Sequence, residues 1–287
     1  MGGSSLVDLD KIREYLREDL GFGDITSDAL IPSGQEARAQ LFFREPGVTA
    51  GLDEASALFE MLGCVAEPRK RDGERVKAGE VLMEVEGPAR ALLSGERTAI
   101  NMVAHMSGIA TATAEVVSKA KKINPAVRVA ATRKTLPGLR ELEKKAVELG
   151  GGDPHRLRLD DCVLIKDNHL ELVPSITEAV RRARERVSFT KKIEVEARSP
   201  DQAEEAARAG ADIVMFDNMP PAEIRRCLDS LEGKGLRQGR LFEASGGITA
   251  ENAGEYVATG VDVISLGSLT HSSRSLDVKL EIRMIKR

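Results

Sequence analysis

The chain has 287 residues, 41% of them hydrophobic, enough apolar material for a substantial core and two domains. Its formal net charge is −4, so no global basic field recruits nucleic acid, and without tryptophan and with 3% aromatic residues it lacks stacking platforms for bases. The three cysteines, Cys64, Cys162 and Cys227, have no metal-ligand spacing, and no apolar run approaches a membrane span.

These features predict a soluble cytoplasmic protein with reduced thiols, no signal peptide and no membrane partner. The start, MGGSS, misses a myristoylation signal, because Leu6 stands where Ser or Thr is needed.

Leu9, Ile12, Leu16 and Leu20 predict an amphipathic helix stopped at Gly21. GFGDITSDAL follows and reads as loop. Ala37, Ala39, Leu41 and Phe43 alternate with Glu36, Arg38, Gln40 and Phe42, a half-buried strand. Leu52 to Leu62 is a helix ending at Gly63. From Arg71 to Leu92, turn glycines at Gly73, Gly79 and Gly87 separate short β runs. A long helical pattern then runs from about Thr98 to Lys122. Residues 1–112 are expected to form an α+β domain, with the segment 272–287 a candidate to pack back on it.

After Pro125 the rhythm changes to strand alternating with helix, the mark of a parallel sheet. Apolar strands start near Val127, Val163, Ile193, Ile213, Leu241 and Val261. Helical patterns fall at 137–149, 174–187, 200–209, 220–231 and 250–259. The first has Pro137 in its first turn, an apolar face of Leu139, Leu142, Ala146 and Leu149, and charges on the other face. Near-continuous apolar strands with short connections suggest a barrel over 113–271, and six strands are too few for a closed eightfold one. A doubly wound open sheet is the competing architecture.

In a barrel the strand ends converge on one mouth, where active sites sit. Strand one ends at Thr132-Arg133-Lys134 and strand two at Lys166; between them lies a glycine-rich loop with His155, Arg156 and Arg158. Strand three ends at Glu194-Val195-Glu196, strand four at Asp217-Asn218, strand five at Ser245-Gly246-Gly247 and strand six at Gly267-Ser268. Late glycine turns leading into helices suit phosphate. Carboxylates among cations make sense if Glu196 and Asp217 hold a hard cation such as Mg²⁺ that bridges to phosphate oxygens. The expected ligands are a phosphate-bearing substrate with metal and a partner bearing carboxylates. Lys166 at a strand end would equally suit a Schiff-base lyase.

The stretches EDLGFGDIT, GERTAINMVAHMSGIAT, ATRKTLPGLR, GGGDPHRLRLDD, VLIKDNH, EVEA, FDN, EASGGIT and DVISLGSLTHS carry a family resemblance across nearly the whole chain. In this order and spacing the sequence resembles the quinolinate phosphoribosyltransferases, the carboxylating nicotinate-nucleotide pyrophosphorylases. One departure is Ala131, where many members carry aspartate before TRK.

The resemblance implies an incomplete, about seven-stranded α/β barrel with an α+β N-terminal domain. It implies transfer of phosphoribosyl from phosphoribosyl pyrophosphate to the ring nitrogen of quinolinate, with loss of CO₂ and release of nicotinate mononucleotide and pyrophosphate. It also implies a homodimer whose active sites are shared. Arg133 and Arg156 match the positions that grip the acceptor's carboxylates, with Thr132, Lys134, His155 and Lys166 beside them. Lys134, Lys166, Glu196 and Asp217 are the expected catalytic set, with Glu196 and Asp217 contacting metal and ribose. Ser245, Gly246, Gly247, Leu266, Gly267 and Ser268 resemble the phosphate loops. A divergent relative that does not use quinolinate is the alternative within the resemblance.

Blander readings compete. Arg-Lys pairs usually decorate solvated turns; the place beside Thr132 favours the site for Arg133 and Lys134. Lys144 and Lys145 suit surface pairing with Glu141 and Glu148 as readily as a role at the site. His105 reads as structural, and His169 and His271 lie near the site end without an assigned contact. Glu194 is set on the opposite face of its strand from Glu196, so the role goes to Glu196. Arg97 is read as opening a helix, where the positive end of the dipole disfavours a cation unless an anion lies near.

Overall fold

A computed structural model describes residues 7–285. The MGGSS start lies outside them. The chain divides into two compact units, residues 1–112 with 273–287, and residues 113–272.

In the first unit, α1 (Leu9–Leu20) starts at Asp8, whose side chain accepts from Asp10 N and Lys11 N, and stops at Gly21. The expected loop holds a helix, α2 (Ile25–Leu30). Asp24 caps it, accepting from Thr26 N at 3.1 Å and Ser27 N at 3.0 Å. That N-cap signal was hidden among glycines. β1 (Glu36–Phe43) buries Ala37, Ala39, Leu41 and Phe43 on one face, as its alternation predicts. β2 (Gly47–Val48), α3 (Leu52–Met61), β3 (Val65–Pro68), β4 (Arg75–Val76) and β5 (Val81–Pro88) follow. β3 has no counterpart in the sequence reading. A four-stranded antiparallel sheet runs from the C-terminal strand Val278–Met284 through β1 and β5 to β3.

The long helix, α4 (Ala89–Ile123), begins well before Thr98. Arg97 therefore lies inside a helix, and its dipole rationale fails. Gly95, inside this helix, serves packing: a Cβ there would stand 2.8 Å from Leu58 Cδ2 and from Leu62 Cδ1. Glycine there lets α3 and α4 approach closely.

In the second unit the order is β6 (Arg128–Ala131), α5 (Arg140–Leu149), β7 (Val163–Ile165), α6 (Asp167–Leu170), α7 (Ile176–Arg186), β8 (Ile193–Ala197), α8 (Pro200–Arg208), β9 (Ile213–Asp217), α9 (Pro221–Gly233), β10 (Leu241–Ser245), α10 (Ala253–Val257), β11 (Val263–Leu266) and α11 (Ser268–His271). The strands pair in parallel in the order β6-β11-β10-β9-β8-β7. They are largely buried because helices cover them; Val195, Val214, Phe242 and Ile264 are fully excluded from solvent. Phe216 and Phe242 stack with centroids 6.0 Å apart. Burying each such side chain contributes about 1.5–3 kcal/mol.

The described residues form six strands in this sheet, not seven. Where a seventh would flank β6, a single parallel bridge joins Ala130 to Asp153. Ala131 N donates to Asp153 O at 3.0 Å, and Asp153 N donates to Val129 O at 2.8 Å. Gly151 and His155 take left-handed backbone and Pro154 has no N–H, so the ladder cannot extend.

Helix α5 departs from expectation. Pro137 lies in a turn before it, and the helix starts at Arg140. Its buried residues are Glu143, Lys144, Ala146 and Val147, while Leu139, Leu142 and Leu149 are half-buried. Among the described residues no helix is long and apolar enough to cross a membrane.

Candidate active site

One cavity of about 350 Å³ takes lining residues from the C-terminal ends of all six strands of the parallel sheet. Adjacent strands lie about 4.8 Å apart, so a flat sheet would hold its outermost strand ends roughly 24 Å apart. Lining one cavity requires the sheet to curl as an incomplete barrel. The open-sheet alternative is set aside on this ground.

The cavity is lined by Thr132, Arg133 and Lys134 after β6, by His155 and Arg156 of the loop, and by Lys166 after β7. Across it stand Glu196, Asp217, Ser245, Gly246 and Gly247. Leu266, Gly267 and Ser268 do not line it. Leu266 is buried, and Gly267 lies against the Lys134 side chain, where a Cβ would stand 2.9 Å from Cδ. Arg97 belongs to the first unit and is exposed on α4.

The cations divide by their partners. Lys166 Nζ donates to Glu196 Oε1 at 2.7 Å. Among the described residues no carboxylate pairs with Arg133, Lys134 or Arg156. Arg133 Nε is buried without a hydrogen-bond partner, and Arg156 is only 9% exposed. Burial, with the charges of Arg156 and Arg140 nearby, pushes the Arg133 guanidinium below its ordinary pKa. Two sparsely compensated guanidiniums facing one cavity favour an anion, and their planar forks suit carboxylates.

On the opposite side, Asp217 accepts from Arg198 Nε at 3.1 Å, and Arg198 also reaches Asp167 at 2.7 Å. Sequence reasoning missed Arg198. Asn218, left-handed at φ 56, donates through Nδ2 to Asp217 Oδ1 at 3.0 Å and through its backbone N to Ser245 O at 2.9 Å. Gly246 lies so close that a Cβ would stand 2.3 Å from Asn218 Oδ1. The glycine turn is thus needed for close approach as well as for its φ of 92°.

Glu194 does not face away from Glu196. Residues two apart on a strand project from the same face, and Glu194 points to the same interior. His155 Nε2 lies 3.3 Å from Glu243 Oε2 and 3.6 Å from Glu194 Oε2. Burial works against a charge on this ring, but the close Glu194 carboxylate and the hydrogen bond to Glu243 prevail and hold its pKa up, at about 10. Burial in turn raises Glu194 above the usual carboxylate range. His155 Nδ1 accepts from Arg156 N at 2.8 Å, so both ring nitrogens are engaged. Glu243 was legible in principle: a carboxylate inside the apolar run LFEAS, two residues before Ser245, faces the same interior.

The remaining histidines and the paired lysine resolve simply. His169 Nδ1 accepts from Lys166 N at 2.9 Å in the first turn of α6, and His271 Nδ1 lies 2.6 Å from Ser272 Oγ. Neither lines the cavity. Lys144 is not a surface residue: it is 1% exposed, and Nζ donates to Ala131 O at 3.1 Å and to Pro154 O.

Comparison with known proteins decides the family. The model of the quinolinate phosphoribosyl transferase N-terminal domain matches residues 24–107, and that of the C-terminal domain matches residues 109–281. The chain belongs to the quinolinate phosphoribosyltransferase family. It is 50% identical over 278 residues to the probable nicotinate-nucleotide pyrophosphorylase [carboxylating] of Methanothermobacter thermautotrophicus, covering 97% of this chain and 100% of that protein. It is 38% identical to the human nicotinate-nucleotide pyrophosphorylase [carboxylating], covering 94% of this chain and 90% of that protein. The crystal structure of NadC from Streptococcus pyogenes superposes with a TM-score of 0.91 at 35% identity, covering 99% of this chain and all of that one. Membership in the quinolinate phosphoribosyltransferase family agrees with the barrel and the antiparallel N-terminal sheet.

Proposed function

We infer that this chain transfers the phosphoribosyl group of phosphoribosyl pyrophosphate to the ring nitrogen of quinolinate. Loss of the 2-carboxylate as CO₂ then gives nicotinate mononucleotide, with pyrophosphate as the other product. One observation carries the reading: Arg133 and Arg156 face the cavity with no carboxylate partner among the described residues. An acceptor with two adjacent carboxylates supplies what they lack. Two planar forks can each bind one carboxylate in bidentate fashion and so orient the ring nitrogen toward the ribose carbon.

Charge is handled on both sides. Lys134 adds a cation at the acceptor side. Lys166, held by Glu196, joins the acceptor side to the phosphoribosyl side. As pyrophosphate leaves, negative charge gathers on it, and preorganised donors stabilise it without a covalent enzyme intermediate. Once the nitrogen is alkylated, its positive charge stabilises the electron pair left on C2 as CO₂ departs, and that carbon then takes a proton from water, so the protein need only bind and orient.

Glu196 and Asp217 fit a Mg²⁺ that is completed by substrate. Both line the cavity and offer hard oxygen donors, and each is paired to a basic side chain rather than to a second carboxylate. Mg²⁺ commonly takes one or two carboxylates plus phosphate oxygens. When bound it would neutralise charge on the pyrophosphate. The cluster of His155, Glu194 and Glu243 fits less well, because the His155 ring is already engaged by Glu243 at 3.3 Å and stands where a cation would bind.

Membership of the family supports a homodimer in which Arg97, exposed on α4, reaches the partner's acceptor site. Free thiols at Cys64, Cys162 and Cys227 support a cytoplasmic, reducing setting. The decisive assay is quinolinate-dependent formation of nicotinate mononucleotide, with nicotinate as control acceptor. No product with quinolinate, phosphoribosyl pyrophosphate and Mg²⁺ overturns the reading.

A further inference from the structure

Helix α5 contributes no residue to the cavity lining, yet four side chains of its first turns bond to the two segments that carry the cavity's arginines. One segment, 131–136, carries Arg133; the other, 154–158, carries Arg156. Arg140 Nε donates to Thr135 Oγ1 at 3.0 Å, and its Nη1 donates to Leu157 O at 3.3 Å. Lys144 Nζ donates to Ala131 O at 3.1 Å and to Pro154 O. Each of these two side chains thus ties one segment to the other. Glu143 Oε2 accepts from Leu136 N at 3.2 Å, and Glu141 Oε1 accepts from Arg158 Nη2 at 2.5 Å.

This arrangement has a cost that packing alone would not select. Lys144 is 1% exposed, and burial, with Arg140 and Arg133 nearby, pushes its ammonium down to about 8. A methionine of similar length would fill the same space without that cost. What the lysine supplies is two directional bonds, to Ala131 O and Pro154 O, that carry the link between the two segments one step past the Ala130–Asp153 bridge. Neither segment has a regular ladder of its own: β6 ends at Ala131, and Asp153 makes only a single bridge.

We propose that Lys144 and Arg140 are positioning residues that set the distance between Arg133 and Arg156, and thereby the spacing of the two carboxylates the pocket accepts. This rests on the acceptor reading given above. Neither residue touches the acceptor; both act through the backbone of the segments they join.

The test separates spacing from charge and from stability. Arg140→Gln removes both ties, and Arg140→Lys keeps the charge but cannot fork to two partners. Quinolinate binding to the full chain is measured calorimetrically, with melting temperature and the KM for phosphoribosyl pyrophosphate alongside. Both variants should bind quinolinate about tenfold or more weakly, since small misplacements at a site cost that much, with KM for phosphoribosyl pyrophosphate within about twofold. The preference for quinolinate over nicotinate should shrink in parallel. Lys144→Met should do the same; should it fail to fold, the two Arg140 variants decide. Wild-type affinity in both variants, whatever their melting temperature, overturns the proposal alone. Wild-type affinity in Arg140→Lys only shows that charge acts rather than spacing, and overturns it too. A wild-type chain that binds no quinolinate overturns the functional reading itself.

Discussion

Lys166 Nζ donates to Glu196 Oε1 at 2.7 Å, joining a residue expected beside the acceptor to one expected beside the metal. The pair is partly shielded, with the Glu196 side chain 10% exposed. The two halves of the cavity therefore share a charge, and substitutions at Glu196 cannot be assigned to one half alone. Asp217 is different: its cation, Arg198, turns to Asp167 and does not line the cavity.

Asp217→Asn should accordingly be selective. It keeps shape and removes charge that a Mg²⁺ complex needs. The metal concentration for half-maximal turnover should rise about tenfold or more, while quinolinate affinity measured alone stays within about twofold. Glu196→Gln should alter both, because it releases Lys166. Collapse of quinolinate binding in Asp217→Asn with metal dependence intact would show that Asp217 serves the acceptor.

The acceptor should need both carboxylates. Nicotinate would leave one of the two buried guanidiniums unpaired, and such sites reject the incomplete ligand strongly. Discrimination in kcat/KM on the order of 10³-fold or more is expected. Comparable turnover of the two acids would point to a relative that does not decarboxylate.

Mixing two inactive variants tests the shared site. Arg97→Ala and Lys166→Ala dimers, once exchanged, place both defects in one site of a mixed dimer and none in the other. Random exchange makes half the dimers mixed, so activity should return to roughly a quarter of wild type. No recovery, with exchange verified by differently tagged chains, means Arg97 serves its own subunit or no site.

Lys144 should leave a signature in stability against pH. Its ammonium sits at about 8 in the folded chain against an ordinary value of 10.5. Between these values the unfolded chain holds a proton that the folded chain has lost, so stability rises with pH. Below about 8 both states are protonated and the full penalty applies. The difference in unfolding free energy between wild type and Lys144→Met should grow in favour of wild type from pH 8 to 10.5, by on the order of 3 kcal/mol. Denaturant titrations at several pH values measure it. A flat difference would mean that the amine keeps its ordinary pKa in the fold and stays charged there as it does in the unfolded chain.

Much of this protein was determined by local sequence. The apolar runs Val163–Ile165 and Ile213–Asp217 are strands because parallel strands are covered on both faces and need no alternation. Gly21 stops α1 because left-handed backbone costs glycine nothing. The strand-end residues Arg133, Lys166, Glu196 and Asp217 could be grouped beforehand because a barrel has one C-terminal mouth. Only the tertiary structure decided which charged residues turn inward. Lys144 looked like one of a surface pair, and Glu194 and Glu243 carried no signal that two carboxylates from different strands would close on one histidine. Such partners lie far apart in sequence, from 10 residues for Lys144 and Pro154 to 88 for His155 and Glu243. The energy that keeps a buried charge comes from those distant groups, so no local pattern announces it.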